Sequence, residues 1–170
     1  VEADGGVDLD RLAAAIREDT AVVSVMAANN EIGVLQPIEA IGRLCREKRV
    51  LFHTDAAQAV GKVPLDVNAA RVDLLSLSGH KLYGPKGIGA LYVRRRPRAR
   101  ITPLMDGGGQ ERTLRSGTVP APLVVGLGEA CRIAGAEMTA EAERLRALRQ
   151  RLWDGLRAHL PDAYVNGSWE

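Results

Sequence analysis

Short apolar runs alternate with amphipathic stretches through the first half of this chain. Leu9, Leu12, Ala13 and Ile16 recur at helical spacing behind Asp8, a residue suited to capping a first turn, so a helix is expected there. Ala21 to Met26 (AVVSVM) has the length and β-branched content of a buried strand. The polar, glycine-punctuated segment Ala27 to Gly33 does not continue it. Gln36-Pro37 opens a second helix through Ile41, Leu44 and Cys45, with Pro37 where a missing amide hydrogen costs nothing. Val50 to His53 and Asp73 to Leu77 are two further strands, separated by a short helix. Ile88 to Val93 is a fourth, and Tyr83 to Gly87 is too short for a helical crossover, so this strand is expected antiparallel.

Strands alternating with helices in this way specify an α/β protein, with a three-layer, mostly parallel sheet and helices on both faces. Beyond residue 120 the pattern changes to helix alone. Leu123, Leu127, Ala130, Cys131, Ala134 and Met138 form one stripe, and Leu145, Leu148, Leu152, Trp153 and Leu156 continue a charged second stretch. Together they exceed the usual helix length, which predicts a kink near Gly135 or Thr139, or a helix that links domains. Pro161 is the expected stop.

Composition changes this picture little. The 170 residues are 46% hydrophobic and 26% charged, the mix of an ordinary globular domain, and the net charge of +2 is too small to imply a polyanionic partner. Arg94, Arg95, Arg96, Arg98 and Arg100 crowd around Pro97, and read as a solvated turn or a protein-contact surface. No aromatic interleaving or recognition helix accompanies them, so no nucleic acid is expected. No membrane partner is expected either, since no stretch is long and apolar enough to span a bilayer. Cys45 and Cys131 form no CxxC pair, and both fall on apolar helix stripes, where buried, inert thiols in a reducing compartment are expected. No metal-ligand spacing is present. The first residue is Val1, and the chain is expected to be cut from something longer.

The chemistry concentrates where strands end. Asn29, Asn30 and Glu31 follow the first strand, Asp55 and Gln58 the second, and Ser78, His80 and Lys81 the third. Ligands of open parallel sheets bind beyond the carboxyl ends of the strands, so the three clusters are expected to converge on one cleft. An acid, a lysine, a histidine and amides suit an organic cofactor better than a metal. A deprotonated Lys81 can form a Schiff base, beside His80, with Ser78 available to a phosphate and Gly79 permitting close backbone approach. Asp55 can keep a pyridine nitrogen protonated, as pyridoxal phosphate (PLP) requires, and Gln58 lies one helical turn further on. The competing readings are a polar turn with a surface lysine for Ser78 to Lys81, and a helix N-cap for Asp55. His53 reads as a structural or cofactor-lining residue. Gly84 to Gly89 lacks the spacing of a phosphate loop, and no dinucleotide fingerprint follows a strand. Gly107 to Glu111 and Arg115 to Thr118 look like flexible loops.

Asn29-Asn30-Glu31-Ile32-Gly33, His53-Thr54-Asp55-Ala56-Ala57-Gln58, Ser78-Gly79-His80-Lys81 with Tyr83 to Gly87, and Gly107 to Glu111 through Arg115-Ser116-Gly117-Thr118 together resemble the NifS/IscS-type cysteine desulfurases, within the class-V aminotransferases. The resemblance covers nearly the whole chain in order, and is closest to the housekeeping iron–sulfur branch. It implies part of a fold-type-I PLP enzyme large domain over residues 1–120, with 121–170 leading toward a small C-terminal domain. It implies that Lys81 carries PLP, Asp55 pairs with the ring nitrogen, Gln58 and Asn30 reach the phenolic side, and Ser78 and His80 bind phosphate. Thr118 would reach the phosphate held by a homodimer partner. The implied reaction converts L-cysteine to L-alanine, passing sulfur to an enzyme cysteine and on to iron–sulfur scaffold and sulfur-acceptor proteins, in a bacterial cytoplasm or a mitochondrial matrix. The sulfur-accepting cysteine and the arginine for the substrate carboxylate match no residue here, so these residues alone are expected to be inactive. Alternatives are a selenocysteine lyase or another fold-type-I enzyme, and a catalytically inactive structural fragment.

Overall fold

The computed structural model describes residues 1–169. Asp8 caps helix α1 (Leu9–Ala15) as expected, its Oδ1 accepting from the amides of Asp10 at 2.8 Å and Arg11 at 3.0 Å. The hydrogen bond from Arg11 holds the Asp8 carboxyl below the usual aspartate range. Strand β1 (Val22–Met26) follows, then helix α2 (Ile38–Lys48), which starts immediately after Pro37. Arg49 closes α2 in the left-handed conformation, φ 58°, and Val50 returns an amide to the Cys45 carbonyl at 2.9 Å.

Strand β2 (Leu51–Asp55) runs two residues further than its apolar pattern, because Thr54 and Asp55 pair in register with Val25 and Met26 of β1. Strand β3 (Leu74–Ser78) lies parallel to β2, and β4 (Gly89–Val93) antiparallel to β3, giving the sheet order β1-β2-β3-β4. The expected short helix between β2 and β3 does not propagate. Single turns close at Val60 and Val63 onto Ala56 and Ala59, and Gly61, at φ 76°, breaks the run just before Pro64.

Pleat alternation places Val23, Val25, Phe52, Thr54, Leu75 and Tyr92 on one sheet face. Ile41 and Cys45 of α2 join that face in a core with Phe52, Ala56, Ala59 and Val72. Gly42 lets α2 sit close: a Cβ there would lie 1.9 Å from the Ala70 carbonyl oxygen. The opposite face carries Ser24, His53, Asp55, Ser76 and Ser78, with Val22 and Leu91 46% and 51% exposed at its margins. No helix covers that face among the described residues.

Thr54 is the one flaw in this core. Its Oγ1 is buried without a hydrogen-bond partner among the described residues. Replacing the hydroxyl by a methyl removes an unpaid desolvation cost, so Thr54→Val should stabilise the protein by about 1 kcal/mol. A urea melt that shows the variant less stable than wild type would refute this.

Helix α3 (Ala121–His159) is continuous over 39 residues, with no kink at Gly135 or Thr139. The helix ends two residues before Pro161. None of its residues is buried, and it packs over the 3-10 turn Gly79–Leu82 and the loops at Gly61 and Gly84–Gly87. Cys131 is therefore exposed, contrary to its place on an apolar stripe: the stripe has too little sheet beneath it to be covered. Cys45 is buried as expected, and burial followed by the Asp73 carboxylate pushes its thiol up to about 11.

Candidate active site at the strand ends

Beyond β1, the Asn29 side chain folds the chain back, accepting from the amides of Glu31 at 2.8 Å and Ile32 at 3.0 Å. Asn30 is left exposed beside this turn. Asp55 closes β2 on the open sheet face, half-buried, with Oδ1 accepting from the Ala57 amide at 2.9 Å. This bond closes a local turn rather than the helix N-cap of the competing reading, since no helix follows, and the other carboxylate oxygen bonds nothing among the described residues. Behind Asp55, His53 bridges three strands: Nδ1 lies 2.7 Å from Ser24 Oγ and Nε2 3.3 Å from Ser76 Oγ. Both ring nitrogens are thereby committed, which supports a structural histidine rather than a base.

Ser78 ends β3, and its Oγ lies 2.9 Å from His80 Nδ1, so these two polar groups are already paired at one point. The chain then winds through the 3-10 turn Gly79–Leu82, which Tyr83 terminates at φ 62°. Gly79 is required by its own loop: a Cβ would meet Ile88 Cγ2 at 2.9 Å and the carbonyls of Ile88 and Pro85 at 3.0 Å. Gly84 to Gly89 is thus a packed turn supporting Lys81, consistent with its failure to match a phosphate loop. His80 and Lys81 are both exposed on the turn.

Lys81 borders a cavity of about 220 Å³ with Lys62, Tyr83, Glu137 and Glu141. Lys62 carries no motif and was not singled out in the sequence. Its Nζ donates to Gln58 Oε1 at 3.0 Å, and burial first, then the charge of Lys81, holds its pKa below the ordinary lysine value. The i, i+4 spacing of Gln58 and Lys62 was the available signal. Among the described residues no direct bond joins Asp55 to Lys81. Thr118 is exposed before α3 and bonds neither Ser78 nor His80.

The two glycine-bearing loops are tied together. Gln110 Oε1 accepts from the Gly117 amide at 3.0 Å, and Arg115 Nη1 donates to the Gly117 carbonyl at 3.0 Å. Between them Glu111, Arg112 and Thr113 all take positive φ, at 47°, 58° and 68°, a conformation L-residues avoid.

Arg94 is corrected from a solvated or contact arginine to a buried one. It is 8% exposed, with Nε donating to the Val72 carbonyl at 2.8 Å, Nη1 to Asn68 Oδ1 at 3.2 Å and Nη2 to the Val67 carbonyl. Its counter-charge, Asp73, lies 3.6 Å away. Arg95, Arg96, Arg98 and Arg100 stay exposed. Among the described residues no cluster suits a metal ion, and no helix is long and apolar enough to cross a membrane.

A mostly parallel sheet with its polar groups gathered past the strand ends is the architecture of a cofactor-binding transferase domain, and the chain belongs to the class-V aminotransferase family, whose pattern matches residues 1–169. It is 59% identical over 170 residues to a cysteine desulfurase of Pongo abelii, covering all of this chain and 37% of that protein. The chain thus spans little more than a third of that relative's length. A NifS-like protein of solved structure superposes with a TM-score of 0.88 at 44% identity, over 93% of this chain and 43% of that one. The structure of SspA in complex with cysteine matches with a TM-score of 0.74 at 50% identity, over 77% and 38%.

Proposed function

We propose that the protein is a PLP-dependent cysteine desulfurase, with this chain supplying the floor of the cofactor site. The observation that carries the reading is the 59% identity to a cysteine desulfurase along the whole chain, with Asp55, Ser78, His80 and Lys81 in one strand-end region. The donor set suits the cofactor: a carboxylate with one free oxygen, a paired hydroxyl and imidazole, and an exposed amine. PLP, when bound, supplies the electron sink that labilises the bonds at the substrate's α-carbon.

In this reading the free oxygen of Asp55 holds a proton at the pyridine nitrogen. Lys81 Nζ tethers the cofactor and moves the proton at the substrate α-carbon. Gln58 and Asn30 bond the ring oxygen, and Ser78 Oγ and His80 bind phosphate. Thr118 acts toward the phosphate of a homodimer partner. Neither thiol in this chain is the sulfur acceptor: Cys45 is buried, with its thiol pushed up to about 11, and Cys131, on the flank of α3, matches no sulfur-accepting position of the family the chain resembles. The substrate is L-cysteine, a reading supported by the likeness to SspA, whose structure holds cysteine. Iron–sulfur scaffold and sulfur-acceptor proteins are the proposed recipients. The exposed arginines Arg95, Arg98 and Arg100, with Arg112, border a cavity of about 1060 Å³ that suits an acidic protein partner.

The test is direct. The intact protein incubated with PLP should turn yellow and release sulfide from L-cysteine under reductant, and borohydride should fix the label on the peptide containing Lys81. A colourless protein, or a label on Lys86, would refute the assignment.

A further inference from the structure

We propose that Lys62 is a positioning residue, holding the Gln58 side-chain amide in the one orientation that presents its N–H₂ to the cofactor's ring oxygen. The inference rests on the reading of Gln58 and Lys81 as cofactor-binding residues, and extends it to a residue that carries no motif.

The case begins with donor chemistry. A glutamine amide can present either its oxygen or its nitrogen in a given direction, and only the nitrogen donates. A ring oxygen that becomes anionic needs the donor. The ammonium of Lys62 has donors and no acceptor, so it can bond only Oε1, which it does at 3.0 Å. That contact selects one of the two amide orientations and leaves both N–H groups of Gln58 directed elsewhere. Gln58 is half-buried and makes no other side-chain hydrogen bond among the described residues.

Lys62 is also placed where an ammonium is disfavoured. It shares the small cavity with Lys81, a like charge, and forms no ion pair among the described residues. The other titratable groups facing that cavity are Tyr83, Glu137 and Glu141. Glu141 is engaged by Arg144 through two bonds, at 2.6 and 2.7 Å, and Glu137 lies outside ion-pair distance of either lysine. Lys62 is exposed, yet its ammonium bonds a neutral amide beside a second lysine rather than a carboxylate. Its depressed pKa agrees with that placement, burial being the larger cause and Lys81 the second.

The experiment is a pH titration of visible absorbance in the PLP-loaded intact protein, comparing wild type with Lys62→Met, Lys62→Arg and each Lys62 variant combined with Gln58→Ala. Loss of the Lys62 contact frees the Gln58 amide to turn, weakening the donor to the charged ring oxygen. The midpoint in Lys62→Met should rise by about one pH unit, the tenfold change expected for one hydrogen bond to a charged group. Lys62→Arg, which keeps a donor-only cation, should restore most of it. In the Gln58→Ala background, Lys62→Met should produce no further shift. A midpoint unchanged in Lys62→Met, or a full shift persisting without Gln58, overturns the positioning role while leaving the cofactor assignment intact. A wild-type protein that develops no chromophore overturns the cofactor assignment, and this inference with it.

Discussion

Asp73→Ala should destabilise the protein by about 3–5 kcal/mol, the cost of stripping a buried charge of its partner. Asp73 is 5% exposed, and its carboxylate serves three groups from different parts of the fold. Oδ2 accepts from the Phe52 amide at 3.0 Å, beside the start of β2, while Oδ1 faces Arg46 at 3.3 Å and Arg94 at 3.6 Å. Truncation leaves the Phe52 N–H unsatisfied in the core and Arg94, whose side chain is 9% exposed, with no carboxylate. Arg46 is 37% exposed and loses little, because water solvates it. Arg94 keeps its carbonyl acceptors, which limits the damage but does not neutralise the charge. The measurement is chemical denaturation of wild type, Asp73→Ala, Arg94→Met and the double variant. A double variant as unstable as the sum of the two singles would show that the pair is not coupled, and a single-variant cost under about 1 kcal/mol would show that Asp73 is not a keystone.

The second large effect is on chemistry. Lys81→Ala should lower turnover of L-cysteine by roughly 10³-fold or more, about 4 kcal/mol of transition-state stabilisation, and abolish the visible chromophore. The exposed amine on the 3-10 turn is, in the proposed reading, both tether and proton carrier, and no other lysine lies on that turn. Lys62 lies across the cavity but is bonded to Gln58, so it should not substitute. Lys86→Ala is the control, since that side chain is exposed on the far turn, and it should stay near wild type. A coloured, active Lys81→Ala protein would mean that the cofactor is held elsewhere.

The sequence alone determined the strand succession, the antiparallel β4 and the Asp8 cap, because each follows from local properties. Apolar run length marks the strands, a five-residue connection from Tyr83 to Gly87 forbids a crossover, and a capping carboxylate needs only the next turn's amides. The strand-end clusters were legible for the same reason, since a parallel sheet brings its strand termini to one edge. Tertiary structure decided the rest. Arg94 looks no different in sequence from Arg95 or Arg96, and only the register of β3 on β4 sets it over the Val72 carbonyl and Asp73. Asp73 likewise reads as the start of a strand until the Phe52 amide and two arginines close on it. Cys131 sits on an apolar stripe, yet burial requires a surface to lie against, and at Cys131 the elements beneath α3 do not supply one. The Gln58–Lys62 contact is local, but its place beside Lys81, like the pairing of Gln110 with Gly117, depends on loops meeting in space. A residue's pattern shows what it can bond, but its partner is selected by the packing of segments distant in the chain.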